Sequence, residues 1–139
     1  MLFRSAASKY DFAIEQGSSF RLSIVYKDSN ANPIDLTNWC ARLSWRTDNN
    51  SLQTFSTDNM DYSVYKFIIE PVIGKLTLLI PAATTNGLSF GTAKYDLELQ
   101  SDDDLYNGGG KSIIRILYGT ITLTKRFSKS TELLECDNV

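Results

Sequence analysis

Apolar residues recur at every second position along most of this 139-residue chain, and apolar runs at helical spacing are nearly absent. A side-chain period of two belongs to extended backbone, whose successive Cβ atoms point to opposite faces. Phe20, Leu22, Ile24 and Tyr26 share one parity, with Arg21, Ser23 and Lys27 mostly on the other. Trp39, Ala41, Leu43 and Trp45 alternate with Cys40, Arg42, Ser44 and Arg46. Leu76, Leu78 and Ile80 alternate with Lys75 and Thr77, and Tyr95, Leu97 and Leu99 with Lys94, Asp96 and Glu98. One apolar and one wet face per strand is the pattern of an antiparallel sheet covered on one side.

The punctuation is equally regular. Polar turns are expected at Lys27–Pro33 and Thr47–Ser51, and a tighter one at Pro71–Gly74 between strands at Val64–Ile69 and Lys75–Ile80. Pro81–Leu88 is the one segment with the composition of a helical turn, closed by Asn86-Gly87. About seven to eight short strands at this spacing predict an all-β fold, an antiparallel β-sandwich, with an open barrel as the competitor. Two places break the rhythm. Ser101–Gly110 is a long acidic, glycine-rich loop before the last strand, and Gly119 interrupts the run from Ile113 to Thr124, where a bend or bulge is expected. The organisation expected is an N-terminal arm over 1–8, a sandwich domain over 9–125 and a C-terminal tail over 126–139.

Composition narrows the chemistry. Hydrophobic residues make up 42% and charged residues 22%, enough apolar matter for one core. Histidine is absent, which removes the commonest general base and zinc ligand and the Ser-His-Asp triad, so an enzyme is not expected. Net charge is −2, and no basic face is evident along the chain, so nucleic acid is not an expected partner. Cys40 and Cys136 match no metal spacing and are expected to stay reduced, without metal. No run approaches the roughly 18 to 20 apolar residues that span a bilayer, and Met1–Arg4 has no export signature, so no membrane partner is expected and synthesis is placed in a cytoplasm.

Four constellations invite a chemical reading and each has a blander one. Asp102, Asp103 and Asp104 lack the spacing of a calcium loop and read as a solvated tip. Gly108-Gly109-Gly110-Lys111 precedes a strand, whereas a phosphate cradle precedes a helix. Asp35 and Asp96 form a carboxylate pair only on paper. Tyr26, Trp39, Trp45 and Tyr95 could stack on a sugar, but their in-phase placement favours the core. No cofactor is expected.

In Pro33–Trp39, Asp35 and Thr37 can bond local backbone groups to make a tight corner around Leu36, and Asn38 tolerates a left-handed conformation. This I-D-L-T corner, the Tyr26-Lys27-Asp28 to Pro33 turn before it, the Tyr95–Leu99 strand, and the closing pattern Arg115, Leu117, Gly119, Ile121, Leu123 all lie on the one chain. Together they resemble the small tail and baseplate proteins of long-tailed bacteriophages, over about residues 9 to 125. Asn38 stands where glycine is usual in that family, and the glycine-rich insertion before the last strand is a second departure. The resemblance implies an immunoglobulin-like sandwich acting as a structural virion protein. The nearest type is the tail collar protein that carries the side fibres of a siphophage. It implies a homo-oligomeric ring around the tail tip, contacts with other tail or baseplate proteins and fibres, and residence in the virion tail. Candidate subunit contacts are Asp102, Asp103, Asp104, Leu105, Tyr106, Arg126 and Phe127. A carbohydrate- or receptor-binding sandwich module is the alternative.

Overall fold

A computed structural model describes residues 2–3, 7–58, 60–102, 111–128 and 135–136. Two sheets pack face to face as an all-β sandwich. The first sheet has the order β1 (Leu2–Phe3), β4 (Phe20–Lys27), β8 (Lys75–Ile80), β7 (Lys66–Glu70). The second contains β10 (Ile113–Thr124), β9 (Thr92–Gln100), β5 (Cys40–Thr47) and β6 (Leu52–Ser56) in that order. Beyond β10 it adds β2 (Ser8–Lys9) and β3 (Phe12–Glu15). A short helix, α1 (Ala82–Asn86), links β8 to β9.

The alternation explains the core. On β5, Ala41, Leu43 and Trp45 are buried while Arg42 and Arg46 are exposed, and the antiparallel register sets Leu43 against Leu97 and Ala41 against Leu99. On the first sheet Leu22 faces Leu78 and Ile24 faces Leu76 across β4 and β8. Trp45 packs on Phe55 and Phe90, and Phe55 meets Tyr65 edge-on at 4.9 Å between centroids. Apolar area removed from water by these facing layers is the main stabilising contribution.

Three features go beyond the expected pattern. First, β3 and β6 lie outside the expected strands, since four or five residues of alternation in Phe12–Glu15 and Leu52–Ser56 give a short signal. Second, the N-terminal segment joins both sheets in parallel: β1 beside β4, then β2 and β3 beside β10. The expected N-terminal arm over 1–8 thus contributes strand residues to both sheets. Third, α1 ends at Gly87 with φ −81°, a right-handed residue, so the helix stops without a left-handed cap.

The last strand corrects an expectation. The register shift lies between Arg115 and Leu117, so the bulged residue is Ile116, and Gly119 stays paired with Tyr95. The bulge explains why Ile116 and Leu117, adjacent in sequence, are both buried. Gly119 answers to a different demand. A Cβ there would run into the Tyr10 carbonyl oxygen, and would lie 2.7 Å from Asp11 Oδ1. Glycine lets the link between β2 and β3 run along β10 at backbone contact.

Candidate functional site

The Asp35 corner is built from local bonds. The Thr37 amide donates to Asp35 Oδ1 at 2.9 Å and Thr37 Oγ1 donates to the same oxygen at 2.6 Å, which holds the Asp35 carboxyl below its usual value. Asn38 takes the expected left-handed conformation at φ 66°, and the Trp39 amide closes the turn on the Leu36 carbonyl. Leu36 is buried, and its amide donates to the Pro71 carbonyl at 2.9 Å. From the other side Gly74, at φ 63°, approaches so closely that a Cβ would lie 2.6 Å from the Ile34 carbonyl oxygen. The corner therefore clamps the β4–β5 connection to the β7–β8 hairpin, with Asp35 and Thr37 satisfied by each other.

The same device recurs. Asp61 accepts from the Ser63 amide and hydroxyl, and Asp28 accepts from the amides of Asn30 and Asn32. Asp48 accepts from the Thr92 amide and Asp11 from the Thr120 amide. Carboxylates are thus spent on turns, where they satisfy backbone amides. Among the described residues, strands carry nine basic and four acidic side chains, while the connections carry three and eight.

That segregation creates a basic face, correcting the expectation that none exists. Lys9 on β2, Arg42 and Arg46 on β5, Lys94 on β9 and Arg115 on β10 are all exposed and share the outer face of the second sheet. The acids among them are Asp96 and Glu98. Arg42 pairs with Glu98 at 2.9 Å, and Arg115 lies over the Tyr118 ring at 4.8 Å. Burial, then the neighbouring Glu98, pushes the Asp96 carboxyl up, against the opposing pull of Arg115 and Arg42.

The expected subunit contacts separate. Asp102 is exposed and pairs with Lys111 at 3.3 Å across the base of the long loop, where the Ser101 amide also donates to the Ser112 carbonyl. Asp103, Asp104, Leu105 and Tyr106 lie outside the described residues. Arg126 belongs to the fold: its amide donates to Gln16 Oε1 at 3.0 Å and its guanidinium to Asn86 Oδ1 at 3.2 Å. Phe127, the next residue, is fully exposed.

The aromatics weighed for sugar stacking go mostly inward. Tyr26, Trp45 and Tyr95 are buried, and Trp39 is half-buried against the core. The Tyr95 hydroxyl donates to the Tyr10 carbonyl, and burial, then Asp11 and Tyr10, pushes the phenol well up. Exposed apolar side chains gather elsewhere, on and beside the edge strand β7: Tyr62, Val64, Ile68, Val72 and Ile73. Sequence reading passes over this edge, although Ile68 shares its parity with Lys66 and Glu70. Among the described residues no group of three His, Cys, Asp or Glu side chains is placed to hold a metal ion, and no helix is long and apolar enough to cross a membrane. Neither a family model nor a curated protein matches the chain.

Proposed function

We propose that this chain is a structural virion protein of a phage tail, forming a collar or baseplate ring around the tail tip and anchoring fibres, without catalytic chemistry. The observation that carries the reading is the placement of the four resembling segments. They fall in chain order on the end of β4 and its turn, the clamped Asp35 corner, β9 and the closing strand β10. Those segments touch both sheets, so the resemblance is not confined to one surface loop.

The surfaces suit assembly. A basic sheet face and acidic connections offer heterologous contacts of the kind that close a ring. A sugar-binding module would need exposed rings in a platform, and the aromatics in question pack the core.

Locating this chain in an electron cryomicroscopy map of the particle tests the reading. Ring-shaped density at the tail tip that fits the sandwich is the expected result. A particle whose tail lacks the chain, or turnover of a glycan or peptide by the purified protein that a single carboxylate change abolishes, overturns it.

A further inference from the structure

We propose that two copies of this chain pair edge to edge through β7, antiparallel about a two-fold axis at Ile68, fusing their first sheets into one. Among the described residues β7 forms a ladder only with β8, so no strand lies along its other side. The direction of its open groups is set by one bond: the Phe67 amide donates to Met60 Sδ at 3.2 Å, which requires it to point away from β8. Ladder groups alternate along a strand, so Phe67 and Ile69 face the open side while Lys66, Ile68 and Glu70 bond β8.

An antiparallel copy centred on Ile68 sets Phe67 opposite the partner's Ile69. Both are outward residues, and that parity is the one needed to exchange ladder bonds. On the outer face the side chains then match themselves. Lys66 falls opposite the partner's Glu70, Ile68 opposite the partner's Ile68, and Glu70 opposite the partner's Lys66. All three side chains are exposed, Ile68 by 40%. Val64 and Val72, 37% and 75% exposed, lie in the turns that flank the strand, at equal distances in sequence from Ile68.

The outward series Lys66, Ile68, Glu70 is complementary to its own reverse in charge and in hydrophobicity. That self-complementarity commits the edge to a second copy of this chain, since a foreign strand would place no such symmetry on β7. Met60 now supplies a weak thioether acceptor to Phe67, and pairing would replace it with a carbonyl. The contact is two-fold, independent of the heterologous contacts of the ring reading.

Sedimentation and a register-specific cross-link test the proposal. The wild-type chain is expected to dimerise with concentration. Lys66→Glu and Glu70→Lys should each weaken the dimer about tenfold by setting like charges opposite each other at two places. The double swap should restore it to within about threefold. In a Cys40→Ala, Cys136→Ala background, Ile68→Cys should give a disulfide joining position 68 of one copy to position 68 of the other. That pair does not exchange ladder bonds, and Cα atoms in such pairs lie about 4.5 Å apart. A wild-type chain that stays monomeric to about 1 mM overturns the proposal, including when the edge captures a strand of another protein. So does a dimer that the swap fails to restore, or one in which the Ile68→Cys variant does not cross-link.

Discussion

The two flanks of the sandwich are finished differently. On one flank β1 runs beside β4, and β2 and β3 run beside β10, so the N-terminal segment lies along both sheets. It is tied in by side chains as well as by ladders. Ile14 is fully buried, Phe12 stacks on Phe20 at 5.3 Å, the Tyr95 hydroxyl reaches the Tyr10 carbonyl, and Asp11 accepts from the Thr120 amide. On the other flank β6 and β7 end their sheets, and Leu52, Val64, Ile68 and Val72 remain exposed there. An edge closed by the chain's own strands contributes stability, whereas an open edge keeps its backbone groups for a partner.

Substitutions on the closed flank should therefore cost folding, and those on the open flank should cost association only. The largest effect is expected for Ile14→Ala, which leaves a cavity under β3 and should lower unfolding free energy by about 2 to 5 kcal/mol in urea melts. A loss near zero would mean β3 is not part of the cooperative core. Gly119→Ala should cost about 1 to 3 kcal/mol, because the added methyl meets Tyr10 backbone, which cannot swing aside, as well as Asp11 Oδ1. Tyr95→Phe removes one buried hydroxyl and leaves the Tyr10 carbonyl without it, for about 1 kcal/mol by the same melts.

Two carboxylates should separate by the sign of their pH dependence. Asp35 ionises more readily folded than unfolded, so its contribution is present above the ordinary value near 3.8 and disappears as pH falls through the lower folded value. Asp35→Asn should therefore be less stable than wild type at pH 7, with the gap closing toward about pH 2. Asp96 is shifted the other way, so its charge opposes folding once pH rises from 3.8 through the raised value. Asp96→Asn should be the more stable chain at about pH 7 and equal at low pH. Parallel curves for the two variants would refute the assignment.

The smallest effect on folding is expected at Ile68. Ile68→Ser should change stability by less than about 0.5 kcal/mol, as for an exposed site, while abolishing the dimer seen by sedimentation. A large stability loss would place β7 with the closed flank and remove the contrast.

Much of this was legible in the residues. The parity of Leu43 and Trp45, or of Leu97 and Leu99, names the core face before any partner strand is known, because a strand's two faces meet different solvents. The Asp35 corner and the left-handed Asn38 were legible for a similar reason, since their bonds close within a few residues, although the Thr37 hydroxyl bonds the Asp35 side chain and not the backbone. Gly119 shows the opposite case. Its place in the sequence suggested a bend, but the residue that requires it is Tyr10, which no local pattern could connect to it.

The sequence by itself determined most of the strands, the tight turns and the choice of an all-β fold, since each depends on neighbours within one strand or one turn. Only the tertiary structure decided which strands are edges, that the N-terminal segment runs in parallel, and that Lys9, Arg42, Arg46, Lys94 and Arg115 share a face. Those outcomes depend on pairing between residues far apart in the chain. Alternation states which side of a strand is wet, but not which strand lies beside it.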